Sequence, residues 1–312
     1  MFTIRRYTAD DKVLWDNYVA KARNATFLFM RDYMDYHADR FHDHSLLFFK
    51  GRRLHSVLPA HEDEALFASH AGLTYGGLLM DVNVTTAEVV QLFDELCVYL
   101  RDHGFRRVLY KPVPWVYHRI PAEEDLYAMF WKCNARLLRR MSGTVIALDE
   151  HLPWRKDHRR RLKNALQTGV RVVADDALDR VWPVLEENLR MRFETKPVHT
   201  LQEMELLKSR FPSQILQYNA YVADEVVGGI TFYLMGHVLH GQYSATSSLG
   251  KECGAMEAIY QKVIFDDFAH CRYLDFGTSN EQGGLVLNEG LIDHKEAYGG
   301  RTVCYDTYEW TL

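Results

Sequence analysis

"CGAMEAIYQKVIFDDFAHC", residues 253–271, runs directly into "RYLDFGT", residues 272–278. The first stretch reads as a helix and the second as a strand. The same succession occurs about 170 residues earlier, where "TTAEVVQLFDELCVYLRDHGF", residues 85–105, precedes "RRVLYKPV", residues 106–113. There Thr85 and Glu88 fit a capping box, and Val89, Phe93, Leu96, Cys97 and Leu100 make one apolar face. Gly104 supplies the stop.

Upstream of each helix lie several short strands joined by tight turns. They are "SLLFFKGRRLHSVLPAHEDEALFASHAGLTYGGLLM" (residues 45–80) and "LQYNAYVADEVVGGITFYLMGHVLHGQYSATS" (residues 216–247). Each half thus runs strand, one or two helices, an antiparallel meander, a long helix and a further strand. That order predicts a duplicated α+β unit, each copy a mixed, mostly antiparallel sheet flanked by helices. The break is expected near "DEHLPW", residues 149–154, giving domains 1–150 and 151–312.

Length and composition agree with two globular domains. The chain has 312 residues, 47% of them hydrophobic and 25% charged, which is ordinary for a soluble protein. Its net charge of −5 gives no general attraction to nucleic acid or anionic lipid, so a polyanion would need a local basic patch. The five scattered cysteines form no CxxC pair, which argues against a zinc ribbon or a disulfide framework. The N-terminal residues do not read as a signal peptide, and no apolar run reaches roughly 18 residues. A cytoplasmic protein without a membrane span is expected.

Three stretches resemble the GNAT acyltransferase superfamily, in particular tandem-GNAT proteins of the Fem-type peptidyltransferase kind. "WRKDHRRRLKNALQTGVRV" (residues 154–172) is similar to the basic helix that opens the second half of such proteins. "YLDFGTSNEQGG" (residues 273–284) is similar to the strand after the long helix, and "LIDHKEAYGG" (residues 291–300) to a Phe-Lys-x-x-Phe-Gly segment near the C-terminus. Here His294 and Tyr298 stand for the two aromatics, with Lys295 and Gly299 at the matching places. The resemblance covers the second half by motif and the first by element order.

The resemblance implies that Lys295 lies beside the donor and acceptor cleft, able to polarise the reacting carbonyl or bind an anion. Read without it, Lys295 is a solvated lysine in a last helical turn before a glycine stop. Acyl transfer needs a deprotonated nucleophile, donors for the developing oxyanion and a grip on the donor's carrier. In the family that grip forms where the fourth and fifth strands splay apart, which points here to "SATSSLGKECGAMEA", with Gly250, Lys251 and Gly254 as binding candidates. The usual glycine spacing is missing and Glu252 would oppose an anion, which weighs against acetyl-CoA. The run "RKDHRRRLK" is either a solvated helix face or a docking site for a diphosphate, CoA phosphate or tRNA backbone, with Arg159 and Arg160 as the chosen contacts.

Tyr243 on the fourth strand and Glu289 in the polar loop before Lys295 join Lys295 as acid–base candidates. Asn280 and Glu281 in that loop, and Arg40 and Tyr36 in the first half, are candidate acceptor contacts. His37, His42 and His44 suggest a metal site only if a helix-to-strand transition lets them converge, so no metal is expected.

The leading expectation is an N-acyltransferase that moves an acyl group from an acyl-CoA donor to an amine. The acceptor class, a small cell-envelope or polysaccharide precursor, follows from the resemblance alone. Two alternatives stand. One is a Fem-type aminoacyl-tRNA-dependent peptidyltransferase, weakened by the missing coiled-coil arm. The other is a non-catalytic ligand-binding tandem-GNAT protein, favoured by the poor phosphate-turn signature and opposed by the polar residues from Asp275 to Lys295.

Overall fold

The computed structural model describes residues 1–70 and 72–312, the side chains of residues 192 and 193 apart. Contacts gather the chain into two compact units. Unit 1 comprises Met1–Ser142, Asn280–Val286 and Cys304–Leu312; unit 2 comprises Gly143–Ser279 and Leu287–Val303. A single cut at residue 150 would assign the last two segments of unit 1 to the other half. Two of the four crossings between units fall inside the strands Arg136–Ala147 and Arg301–Thr311, where no loop composition marks them.

In unit 1 the strands Thr3–Arg6, Leu46–Lys50, Arg53–Leu58 and Leu79–Met80 form one antiparallel sheet in that order. A second ladder runs from the C-terminal strand through Arg107–Tyr110, Leu66–Ala68 and His61–Asp63 to His42–Asp43. The helix Thr86–Asp102 closes the core, burying Val89, Leu92, Phe93, Leu96 and Leu100 among Phe48, Phe67, Met80 and Trp310. Its start is capped as expected: the Glu88 carboxylate accepts the Thr85 N–H at 3.1 Å. Glu88 also accepts a hydrogen bond from Lys50 Nζ at 2.7 Å, and that ammonium, with Thr85, holds its carboxyl down at about 2.

In unit 1, Leu66–Ala68 runs parallel beside Arg107–Leu109. Beyond this pair the two chains stay fastened. Ser69 N–H donates to Leu109 O at 2.9 Å, Lys111 N–H to Ser69 Oγ at 2.7 Å, and Gly76 N–H to Lys111 O at 2.8 Å. Tyr110 adds a crossing contact, accepting the Leu78 N–H at 2.6 Å and donating to the buried Asp125 carboxylate at 2.7 Å.

Unit 2 begins with helix α1 (Lys156–Gln167), strand β1 (Arg171–Asp175) and helices α2 (Leu178–Phe193) and α3 (Leu201–Arg210). The meander follows as β2 (Ile215–Val222), β3 (Glu225–Met235) and β4 (Val238–Thr246). Helices α4 (Ser248–Cys253) and α5 (Ala255–Gln261), strand β5 (Tyr273–Thr278) and helix α6 (Glu289–Glu296) complete it. The sheet order is β1-β2-β3-β4-β5, then residues 143–147 of Arg136–Ala147. Every pairing is antiparallel except β4 with β5. Tyr218, Ile230, Phe232, Leu239 and Leu274 on one sheet face pack with Ile259, Val263 and Tyr298.

The long helix expected over residues 253–271 is broken. Gly254, at φ +82°, ends α4 and starts α5. A Cβ there would overlap the Arg161 carbonyl oxygen of α1, so glycine is needed both for the turn and for the close approach of α1. After α5 the chain continues as a wider helical turn over Lys262–Asp267.

Candidate active site

Strands β4 and β5 hold together for three residue pairs, Val238 with Tyr273, Leu239 with Leu274 and His240 with Asp275. No further pair joins them among the described residues. A bulge in β4 coincides with the parting: β3 pairs Phe232 with Gly241 and Thr231 with Tyr243, leaving Gln242 extra. The bulge bends β4 away from β5 and reverses its side-chain alternation beyond residue 242.

The parted strands open onto a cavity of about 710 Å³, within the usual range for a small-molecule site. Its walls come from β4 (Gly241, Ser244, Ala245, Thr246), β5 (Phe276), α2 (Leu185, Asn188, Leu189) and α5 (Met256, Glu257, Tyr260). Gly250 and Lys251 of α4, Arg161 of α1, and Leu291, His294 and Lys295 of α6 complete much of the rest. The apolar side chains suit a flexible thioester arm, and Lys251 and Arg161 offer cations to phosphate. Glu257 is the one carboxylate among the lining residues, and its charge is countered. It stands 3.2 Å from His158 Nδ1 and 3.5 Å from Arg161 Nη1, contacts that hold its carboxyl below the ordinary range despite burial.

Lys295 is buried, and its Nζ donates to the carbonyl oxygens of Gly277 at 3.0 Å and Thr278 at 2.8 Å. Burial brings its ammonium down to about 8, with Asp275 opposing the change. Beside it, burial lowers His294 to about 4, so that imidazole is neutral at pH 7. Helix α6 is pinned at its middle and just past its end. Arg155 makes a two-pronged ion pair to Asp293, at 2.6 and 2.9 Å. Tyr298, just past the helix, is fully buried against the rings of His158 (4.3 Å), Tyr260 (4.6 Å) and Trp154 (5.1 Å). Gly299, at φ +95°, makes the stop, and a Cβ there would overlap the Leu152 carbonyl oxygen. The segment is therefore both a helix stop and a wall of the cavity.

The sequence candidates fare unevenly. Lys295, Gly250 and Lys251 line the cavity. Gly250 is required by packing rather than by a phosphate, since a Cβ would overlap the Val227 carbonyl oxygen, and Gly254 serves the α1 approach described above. Arg159 and Arg160 are exposed on α1 and are not among the lining residues; the next residue, Arg161, is the one whose side chain reaches the cavity. Tyr243 is turned away by the bulge, its ring 5.5 Å from Trp182 and its hydroxyl 2.7 Å from His199 Nδ1. Glu289 is exposed in the first turn of α6, and it is the cap Asn288 that lines the cavity.

Asn280, Glu281, Arg40 and Tyr36 all belong to unit 1, while every lining residue belongs to unit 2. Asn280 Oδ1 accepts the Ser142 N–H at 2.6 Å, Glu281 is exposed, and the Arg40 guanidinium lies 5.5 Å from the Tyr36 ring centre. His37, His42 and His44 do not converge: His44 bonds Glu62, His37 stacks on Tyr36, and His42 is exposed. Among the described residues no group of three or more His, Cys, Asp or Glu side chains could hold a metal ion.

Sequence reasoning did not separate Arg161 from the rest of the basic run, and it did not single out Glu257 or foresee the burial of His294. Glu257 left a readable sign, a lone acid among Ala255, Ala258, Ile259 and Tyr260 on a buried helix. Asp275 was noted as polar, but its contact with His240 Nδ1 at 3.0 Å was not foreseen.

Residues 154–295 match the family described as the acetyltransferase (GNAT) domain, a span that holds α1 to α6 and all the cavity-lining residues. This segment is a GNAT domain, and the protein is an acyltransferase built on it. Solved structures extend the likeness of fold to the whole chain. FemX superposes with a TM-score of 0.68 at 9% identity, covering 99% of this chain and 97% of that one. The C-terminal domain of a putative lysylphosphatidylglycerol synthetase from Agrobacterium fabrum gives 0.61 at 8% identity, covering 97% and 92%. A tandem GNAT protein from the clavulanic acid biosynthesis pathway gives 0.53 at 12% identity, covering 100% and 98%. No curated protein matches the chain in sequence. No helix among the described residues is long and apolar enough to cross a membrane.

Proposed function

We propose that the protein transfers an acyl group from a CoA-type thioester to an amine, with the donor held in the unit 2 cavity. The observation that carries this reading is the parting of β4 and β5 over an apolar cavity with Lys295 in its wall. Lys251 and Arg161 would hold the carrier's phosphates, and the thioester arm would lie between the parted strands. The neutral amine attacks the thioester carbon and the carbonyl oxygen becomes an oxyanion; collapse breaks the C–S bond, and the thiolate takes up the proton that the amine nitrogen loses. Lys295 has one N–H left after its two carbonyl bonds, and that donor suits either developing anion. GNAT neighbours support a small-molecule donor; the acceptor, an amine of a cell-envelope or polysaccharide precursor, rests on family resemblance.

Thermal unfolding with acetyl-CoA, longer acyl-CoAs and free CoA tests the reading. A ligand at a hundred times its Kd that binds only the folded protein stabilises it by about 2.7 kcal/mol. An acyl-CoA should therefore raise Tm, and the paired reversal Arg161→Glu with Lys251→Glu should abolish the rise. No response to any CoA thioester, with binding of charged tRNA instead, would replace this donor by an aminoacyl-tRNA.

A further inference from the structure

We propose that Asp275 is a positioning residue for the ammonium of Lys295: it fixes the turn that grips Nζ and supplies the negative charge that keeps Nζ protonated beside the cavity. The inference rests on the transferase reading for its catalytic consequence, but not for its geometry.

Asp275 is the last β5 residue paired with β4, and none of it is exposed. Burying a carboxylate is costly unless its oxygens are satisfied. Here Oδ1 accepts the Gly277 N–H at 2.7 Å, and Oδ2 lies 3.0 Å from His240 Nδ1. The first bond fastens a turn in which Gly277 takes φ +70°. That turn presents the two carbonyls, Gly277 O and Thr278 O, to which Lys295 donates. A side chain on one strand thus sets the direction of an ammonium on a helix without touching it.

The charge acts as well. Among the described residues no carboxylate pairs with Lys295 within 4 Å, yet its ammonium is largely buried. The titratable groups around the site are Asp275 from β5, His240 beside it on β4, Arg161 and His158 from α1, Lys251 from α4, Glu257 from α5, and His294 on α6 itself. Of these, Asp275 is the one that favours the charged lysine against its burial. Its contact with His240 offers a rival role, in which Asp275 orients an imidazole base.

Lys295 can be titrated without turnover, by brief acetic anhydride labelling of the intact protein between pH 6 and 10 and peptide mass spectrometry. The expected midpoint in the wild type is about 8. Asp275→Asn should lower it by about 1 pH unit, and His240→Gln should leave it in place. The alkaline limb of kcat/KM should follow the label, with about tenfold less activity for Asp275→Asn at pH 8 than at its own plateau. An unshifted midpoint in Asp275→Asn, or the same shift in His240→Gln, would overturn the proposal. So would a wild-type midpoint at the ordinary value of about 10.4, which needs no variant. Because labelling requires no acyl donor, a failed transferase reading would show as absent turnover with the midpoints intact.

Discussion

Among the described residues each unit shows a parallel strand pair three residues long, and the two pairs end differently. In unit 1 the chains remain stitched past the last pair by the Ser69 hydroxyl, the Lys111 amide and the Gly76 amide. In unit 2 a one-residue bulge at Gln242 lets β4 turn away, and the space fills with a cavity. The same local topology therefore gives either a stitched strand pair or an open cavity, and a few hydrogen bonds beyond the pair separate the two outcomes.

Burial shifts titratable groups in both units, and Asp125 and Lys295 show the two opposite signs. Unit 1 holds Asp125, which burial raises to about 7, bonded to the Tyr110 hydroxyl. Unit 2 holds Lys295, which burial lowers to about 8. An aspartate raised in the folded state binds protons there that the unfolded chain has released. Its contribution to stability is therefore full at acid pH and lost as pH rises from about 4 towards 7. A lysine lowered in the folded state has the opposite sign, so its penalty is relieved as pH rises from about 8 to about 10.5.

The largest expected effect lies in unit 2. Lys295→Met should reduce kcat by about 10²–10³-fold, the loss typical of a missing oxyanion donor, while Tm holds or rises because a buried charge is gone. Wild-type turnover in a folded variant would leave the cavity without its proposed electrophile. Next comes Asp125→Asn, which keeps a neutral partner for Tyr110. It should raise Tm by several degrees at pH 8 and leave it nearly unchanged at pH 4, measured by calorimetry; equal effects at both values would contradict the sign given above. Ser69→Ala removes the hydroxyl that accepts from the half-buried Lys111 amide and should cost about 1 kcal/mol in denaturant unfolding, with kcat unchanged. A loss of kcat at full stability would mean that the stitched pair takes part in chemistry. The smallest change belongs to Tyr243→Phe, whose turnover should stay within experimental scatter of the wild type, since its hydroxyl bonds His199 rather than facing the cavity.

Much of the fold was legible because its signals are periodic and local. Thr85 and Glu88 announce a helix start, Gly104 its end, and the repeat of helix and strand announces the duplication. The site was legible only in part. Lys295, singled out by a short motif, does line the cavity, whereas Tyr243 faces away because alternation along β4 fails at Gln242, and a bulge has no strong sequence mark. Arg159 and Arg160 were preferred to Arg161 because a run of cations on one helix does not reveal which one turns inward. Gly250 and Gly254 were read as ligand contacts, when the neighbouring carbonyls of Val227 and Arg161 already demand them. Long-range packing decides each of these cases.

Gly241 sits where the strands part and lines the cavity, yet its backbone is unstrained, and an added Cβ would find only the Asp275 carbonyl, at an ordinary 3.7 Å. It differs in this from Gly250 and Gly254, which tolerate no side chain. The position has room for at least a methyl group, so side chains of increasing size placed there should shorten the available depth stepwise. A series of such variants, ranked against acyl chains of increasing length, would turn the cavity into a ruler for its own substrate.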